Sequence, residues 1–241
     1  MQVYTSPAIV FRMVRYGETS IICDAYTREH GLRSFIASGI RTSKKSGIAA
    51  LYRPLSIVEL TAPDAEEKLS RVKEIRCLHP YRFVADHIVH SSIAMFLIEV
   101  ARNSIREKET NTELFDFLYN WLLFLDSDPT PHPLLPILFL TELAHMLGFG
   151  PLNNHSEQKP YFDLNEGTFV TKDQGLESQL DEGSSRAFAA ILQTTKENLH
   201  NTRIPRTVRN ELTDQIVRYF LLHIPGFRPL QSLPVLREVL S

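Results

Sequence analysis

The sequence predicts an α+β protein: a small antiparallel β unit first, then a mainly helical remainder broken by one short hairpin. Three observations predict it. Up to Leu78, short β-rich apolar runs alternate with turns containing Gly or Asp. From Pro80 onward, apolar residues recur at helical spacing. The charge also divides: Met1 to Arg82 holds 13 Lys and Arg against 8 Asp and Glu (+5), and the rest holds 13 against 20 (−7). A positive half beside a negative half suggests that the first part meets a polyanion.

At 241 residues, 43% hydrophobic and 22% charged, the chain can bury a sizeable core in one or two units. We expect a β domain over 1–79 and a helical domain over 80–241, with a small insert at about 151–175. No apolar run approaches the roughly 18 residues of a membrane span. The start, MQVYTSPAIV, lacks the layout of a signal peptide. Two cysteines, Cys23 and Cys77, exclude a disulfide scaffold and point to a reducing cytoplasm.

Taken in order, strands are expected at Ala8–Val14, Thr19–Tyr26, Leu32–Ala37, Leu55–Leu60 and Leu69–Ile75. Five short strands fit a small closed barrel, of either the oligonucleotide-binding (OB) or the SH3-like kind. A helix from about Val84 to Ile105 is apolar on more than one side and belongs inside a bundle. The next starts at Thr112, with Asn111 or Thr112 as its cap. It carries the stripe Leu114, Phe117, Leu118, Trp121, Leu122 and Leu125. A third begins near Pro133 and Pro136 and stops at Gly148. A hairpin follows over Tyr161–Val170, turning at Asn165-Glu166-Gly167. Helices near Ser184–Leu199 and Pro205–His223 complete the chain.

Catalytic signatures are missing. There is no phosphate-binding loop, no dinucleotide fingerprint and no GxSxG elbow. Cys23 lies within a strand, where an inert buried thiol is expected. Cys77, His79, Asp86, His87 and His90 form the densest ligand-like cluster. It lacks a second ligand pair, so these read as junction and surface histidines. Asp126 and Asp128 read as solvated loop acids. No catalytic residue, metal or cofactor is expected, and the chain is not read as an enzyme.

The positive signal is basic. Arg12 to Arg53 holds eight Lys and Arg against three acids, with Arg41, Lys44 and Lys45 on the loop Gly39–Leu51. Cations at a barrel rim neutralise phosphates and release counterions, giving salt-sensitive binding without sequence readout. We take Arg15, Arg33, Arg41, Lys44, Lys45 and Arg53 as phosphate contacts. Tyr52, and Tyr26 or Phe35, are candidates to stack bases. An RNA-binding barrel would share the charge division, and a scaffold using the helical bundle alone would show no salt-dependent nucleic-acid affinity.

The order of short motifs is more specific. Ala8-Ile9-Val10, Tyr16-Gly17-Glu18-Thr19-Ser20, Tyr26-Thr27-Arg28-Glu29-His30-Gly31 and Gly39-Ile40-Arg41 resemble the N-terminal domain of RecO proteins. Leu147-Gly148-Phe149-Gly150-Pro151, Phe162-Asp163 to Gly167, and Arg228-Pro229-Leu230-Gln231-Ser232-Leu233 resemble later elements of the family, so the likeness spans nearly the whole chain. The resemblance implies an OB-fold barrel followed by a helical domain. It also implies a role as recombination mediator in DNA repair, located in the cytoplasm at the nucleoid. Such a protein binds single- and double-stranded DNA and anneals complementary strands. With RecR it helps load RecA onto DNA coated by single-stranded-DNA-binding protein; participation of RecF stays open. The helical domain is implied to dock the acidic, apolar C-terminal tail of that coating protein, for which Arg102 and Arg106 are candidates. Many relatives bind zinc through four cysteines in the insert. This chain has His155 and Gln158 where such a pair would fall and no cysteine after Cys77, so packing through Tyr161, Phe162 and Phe169 is expected instead.

Overall fold

The computed structural model describes residues 2–40, 47–64, 69–106, 108–171 and 178–240. The chain divides into two compact units, Met1–Pro129 and Thr130–Ser241.

The first unit opens with strands β1 (Val3–Tyr16), β2 (Ser20–Thr27) and β3 (Gly31–Ala37), a 3-10 turn (Ile48–Tyr52), and β4 (Ile57–Pro63). Then come β5 (Ser70–Arg71) and β6 (Glu74–His79), in the sheet order β5-β3-β2-β1-β4-β6. The single fifth strand expected over Leu69–Ile75 is thus two strands. β5 runs parallel to β3, and β6 runs antiparallel to β4. Between them the Val72 amide donates to Ile36 (3.0 Å) and the Lys73 amide to Thr61 (2.9 Å). One extended segment therefore pairs with both β3 and β4, which curls the sheet into an OB-like half-barrel. Ala8, Val10, Cys23, Phe35, Val58 and Leu60 fill the interior.

A bulge in β1 divides the barrel's outer side. The register to β2 shifts between Val10 and Arg12, leaving Phe11 as the extra residue. Before the bulge, Ile9 stands opposite Tyr26. Phe11 stacks on Tyr26 at 5.7 Å, and Tyr26 meets Phe115 of the following helices at 6.2 Å. Beyond the bulge the outer positions are Arg12, Val14 and Tyr16, and they stay at least partly exposed.

Two helices complete this unit, α1 (Ile88–Ser104) and α2 (Thr112–Ser127). The cap of α2 is Asn111, whose side chain accepts from the Leu114 amide at 2.9 Å. Phe115 joins the buried stripe, whereas Phe117 is only half-buried. The α1 helix starts later than Val84 because the preceding turn is used elsewhere. Asp126, at the far end of α2, accepts from the amides of Arg82, Phe83 and Val84 at 2.8–2.9 Å. Asp126 is therefore a buried anchor, not a solvated loop acid.

The second unit contains α3 (Leu135–Met146), the hairpin β7 (Tyr161–Asp163) and β8 (Thr168–Val170), α4 (Glu182–Leu192), a 3-10 turn (Leu199–Asn201), α5 (Arg206–His223) and α6 (Ser232–Val239). Nine of the twelve α3 residues are buried, which fits a helix apolar all round. The expected helix over Ser184–Leu199 stops at Leu192. The Asn198 side chain accepts the Thr195 amide at 2.7 Å, and the Thr194 hydroxyl bonds back to Ala190, offering the backbone partners outside a helix. The short α6 lies beyond the helices expected from the sequence; Arg237 pairs with Asp214 and Arg209 donates to the Leu240 carbonyl at 2.6 Å.

The insert is held by its own packing. Phe162 lies 5.0 Å from Phe169 and 4.8 Å from Phe188, all three fully buried. Asn154 accepts from Thr168 and Phe169, and Asp163 accepts from the Asn165 and Glu166 amides and from Gln179. Gly167 closes the hairpin at φ +67°, and a Cβ there would stand 2.6 Å from the Tyr219 hydroxyl.

Candidate nucleic-acid interface

Strand pairing brings two exposed basic residues of the barrel, Arg12 and Arg71, to one outer face. Val14, Ile22, Ile36 and Arg71 stand opposite one another across β1, β2, β3 and β5. The adjacent row is Arg12, Asp24 and Ser34. Both rows point away from the interior, since Met13, Cys23 and Phe35 between them belong to the core. Val14, Ile22 and Ile36 are partly exposed, and Arg12 and Arg71 are exposed.

Hydrogen bonds order these cations without neutralising them fully. Arg71 donates to the Ser38 hydroxyl at 3.0 Å, at the end of β3. Asp24 accepts from Ser34 at 2.6 Å and lies 4.0 Å from the Arg12 guanidinium. Arg12 is thus paired with a carboxylate, and Arg71 with a neutral hydroxyl. Where β1 ends, Arg15 is exposed and Tyr16 follows, 55% exposed beside the turn at Gly17. Arg12, Tyr16 and Arg71 join the candidate contacts only once the strands are paired. The signals were present: the Tyr-Gly-Glu turn, and the cationic run Arg71, Lys73 and Arg76.

Other cations are committed within the unit. Arg28 forms a two-pronged pair with Asp116 at 2.8 Å, which holds the Asp116 carboxyl below the ordinary carboxylate range. Arg76 pairs with Glu59 opposite it at 2.5 Å. Arg33 donates to the Lys108 carbonyl at 3.0 Å and so ties the segment after α1 to β3. Arg53 is exposed at the start of a tight turn closed by the Ser56 amide at 3.2 Å. Arg41, Lys44 and Lys45 lie outside the described residues.

The three expected stacking rings are packed rather than presented. Tyr26, Phe35 and Tyr52 are 1%, 0% and 2% exposed, and burial raises the Tyr52 hydroxyl well above its ordinary pKa. Burial, helped by Asp24, likewise pushes the Cys23 thiol up to about 12, so it is inert near neutral pH. A cavity of about 630 Å³ lies beside the end of β3, lined by Ser38, Ile40, Tyr52, Thr61, Lys73 and Arg76 among others.

The histidine cluster resolves into structural roles. His79 reaches Asp126 at 3.3 Å. His90 is fully buried, stacked on Phe83, with Nε2 2.8 Å from the Asp128 carbonyl, and so is a core residue rather than a surface one. Among the described residues no group of three or more His, Cys, Asp or Glu is placed to hold a metal. Arg102 is exposed in the last turn of α1, where a cation suits the helix dipole, and Arg106 is exposed just beyond it.

Comparison with known proteins agrees with this architecture. Residues 1–81 match the family model "Recombination protein O N terminal", and residues 86–234 match "Recombination protein O C terminal". The DNA repair protein RecO of Flavobacterium psychrophilum is 32% identical over the full length of both chains. That of Phocaeicola vulgatus is 31% identical over 97% of each, and that of Bacteroides fragilis 30% over 96% of each. With both halves matched and full-length relatives at this identity, the chain belongs to the RecO family of DNA repair proteins.

Proposed function

We propose that the chain is a recombination mediator that acts by binding rather than by bond chemistry. It binds single- and double-stranded DNA, anneals complementary strands and, with RecR, loads RecA onto strands coated by single-stranded-DNA-binding protein. The observation that carries this reading is the outer barrel face, where Arg12 and Arg71 stand about an aliphatic row and Asp24 lies 4.0 Å from the Arg12 guanidinium. The sequence of the same domain adds the cations Arg15, Arg41, Lys44, Lys45 and Arg53. A surface of this kind reduces phosphate repulsion between two strands without reading sequence. Arg102 and Arg106 remain our candidates for the carboxylates of the coating protein's tail. The functional division is placed at 1–79 for the DNA-binding barrel and 80–241 for partner docking, and the site of action at the nucleoid.

The test is fluorescence anisotropy of a labelled single strand at two salt concentrations, paired with an annealing assay. The expected result is affinity that falls steeply with salt, together with faster annealing of complementary strands. Absence of binding at low salt would overturn the reading and leave a helical interaction scaffold in its place.

A further inference from the structure

Among the described residues, Tyr16 is the one phenylalanine, tyrosine or tryptophan side chain that is exposed; the other rings are buried or half-buried. Its place follows from strand pairing. Tyr16 is the last residue of β1 and stands opposite Ser20, with the short turn Gly17–Thr19 closing behind it. Gly17 takes φ +60°, which lets so short a turn close. The ring is therefore carried by a paired strand and not by a long loop. Strand alternation puts it on the same outer side as Val14 and Arg12, each about 7 Å from the next. Arg71 lies three strand spacings from Val14, about 14 Å, at the far end of the row that includes Ile22 and Ile36. One face thus carries a ring, an aliphatic floor and two guanidinium groups. We propose that Tyr16 is the base platform of this face: one base of a single strand stacks on its ring while Arg12 and Arg71 hold phosphates of the same strand.

The inference rests on the nucleic-acid reading above and names the residue that meets a base. Every base has a π-face, so stacking on Tyr16 adds affinity without reading sequence. Both cations stay open to a phosphate. The Arg12 side chain is 54% exposed although Asp24 lies 4.0 Å away, and Arg71 is steadied by the neutral Ser38 hydroxyl. The two kinds of contact carry different signatures. A guanidinium on a phosphate releases counterions and so sets the salt dependence of binding, whereas a base stack releases none. Loss of the ring therefore lowers affinity at every salt concentration alike, and loss of the cations flattens the dependence on salt.

The experiment separates these signatures. The wild-type chain, Tyr16→Leu, Tyr16→Phe and the double variant Arg12→Glu with Arg71→Glu are titrated against labelled oligo-dT at several salt concentrations, after circular dichroism has shown each fold retained. Tyr16→Leu is expected to bind about tenfold more weakly, as the loss of one base stack implies, with its salt slope unchanged. Tyr16→Phe keeps the π-face and is expected to match the wild type. The double variant is expected to show a shallower slope. Tyr16→Trp gives a direct readout, because the native Trp121 is buried: unlabelled oligo-dT is expected to quench the new emission. Wild-type affinity in folded Tyr16→Leu would overturn the proposal, and so would saturating binding that leaves the Tyr16→Trp emission unquenched. Tyr16→Phe as weak as Tyr16→Leu would overturn it too, since the hydroxyl and not the ring would then make the contact. An unchanged slope in the double variant would overturn the assignment of the phosphates. Failure of the underlying nucleic-acid reading looks different: the wild-type chain itself would not bind.

Discussion

Asp126 shows how a side chain that reads as loop surface becomes an anchor. Its carboxylate is buried, and burial alone would raise its pKa. The amides of Val84, Arg82 and Phe83, with His79, outweigh that cost and hold it below the ordinary carboxylate range. A carboxyl lowered in the folded state adds stability above its unfolded pKa, and that stability is lost as pH falls through the lowered value. Asp126→Asn keeps one acceptor oxygen of two. It is expected to cost roughly 1–3 kcal/mol at neutral pH, with the gap to wild type narrowing below about pH 4. Urea denaturation at pH 7 and pH 3.5 measures both, and an equal gap at the two values would refute the assignment. Nothing local in the sequence marks this role, because the amides that Asp126 accepts lie more than 40 residues earlier in the chain. The acceptor of Arg33 is hidden from local sequence in the same way, being a carbonyl 75 residues away.

At the scale of elements, the legible features were those written in neighbouring residues. The strand alternation of β2 and β3, the Asn111 cap and the Gly167 hairpin all follow from local pattern, and the structure shows each. The split of the fifth strand did not, because it depends on pairing with β3 and β4 at once. The motif Tyr26 to Gly31 gains a physical meaning here. Thr27 accepts from the His30 amide and donates to the Gly31 carbonyl, fixing the turn. Gly31 has φ +62°, and a Cβ there would lie 2.3 Å from the Glu109 carbonyl oxygen. Backbone cannot yield as a side chain tip can, so Gly31→Ala is expected to cost about 2 kcal/mol or more; a neutral effect on the denaturation midpoint would contradict this packing. The insert makes a second prediction. Phe162, Phe169 and Phe188 form its core, and Asn154 and Asp163 satisfy its backbone groups. Its stability is therefore expected to be indifferent to chelation: EDTA leaves the melting temperature unchanged, whereas Phe162→Ala lowers stability by about 3–5 kcal/mol. A fall in melting temperature on chelation would show that a metal contributes after all.

For the whole molecule, charge distribution decides more than net charge. A chain of net −2 would be expected to avoid DNA, yet its first 82 residues carry +5. At physiological salt the Debye length is about 8 Å, so a phosphate at the barrel surface responds mainly to groups nearby and little to acids farther off. The division by sequence was legible because charge is additive along a chain. Which cations remain available was not, because Arg28 and Arg76 are matched by Asp116 and Glu59 only once the chain has folded. The remaining cations set the salt dependence. Each phosphate contact to a single strand contributes about 0.7 to the slope of log affinity against log salt. Reversing Arg41, Lys44 and Lys45 to Glu removes three such contacts if all engage, so the slope is expected to become shallower by about 2. Affinity at low salt is expected to fall by at least an order of magnitude while the melting temperature holds. Arg12→Glu with Arg71→Glu is expected to act in the same direction through the described face. If the triple reversal leaves both slope and affinity untouched while the double reversal abolishes binding, the strand is carried by the outer sheet face alone. If neither changes them, DNA is not bound by the barrel.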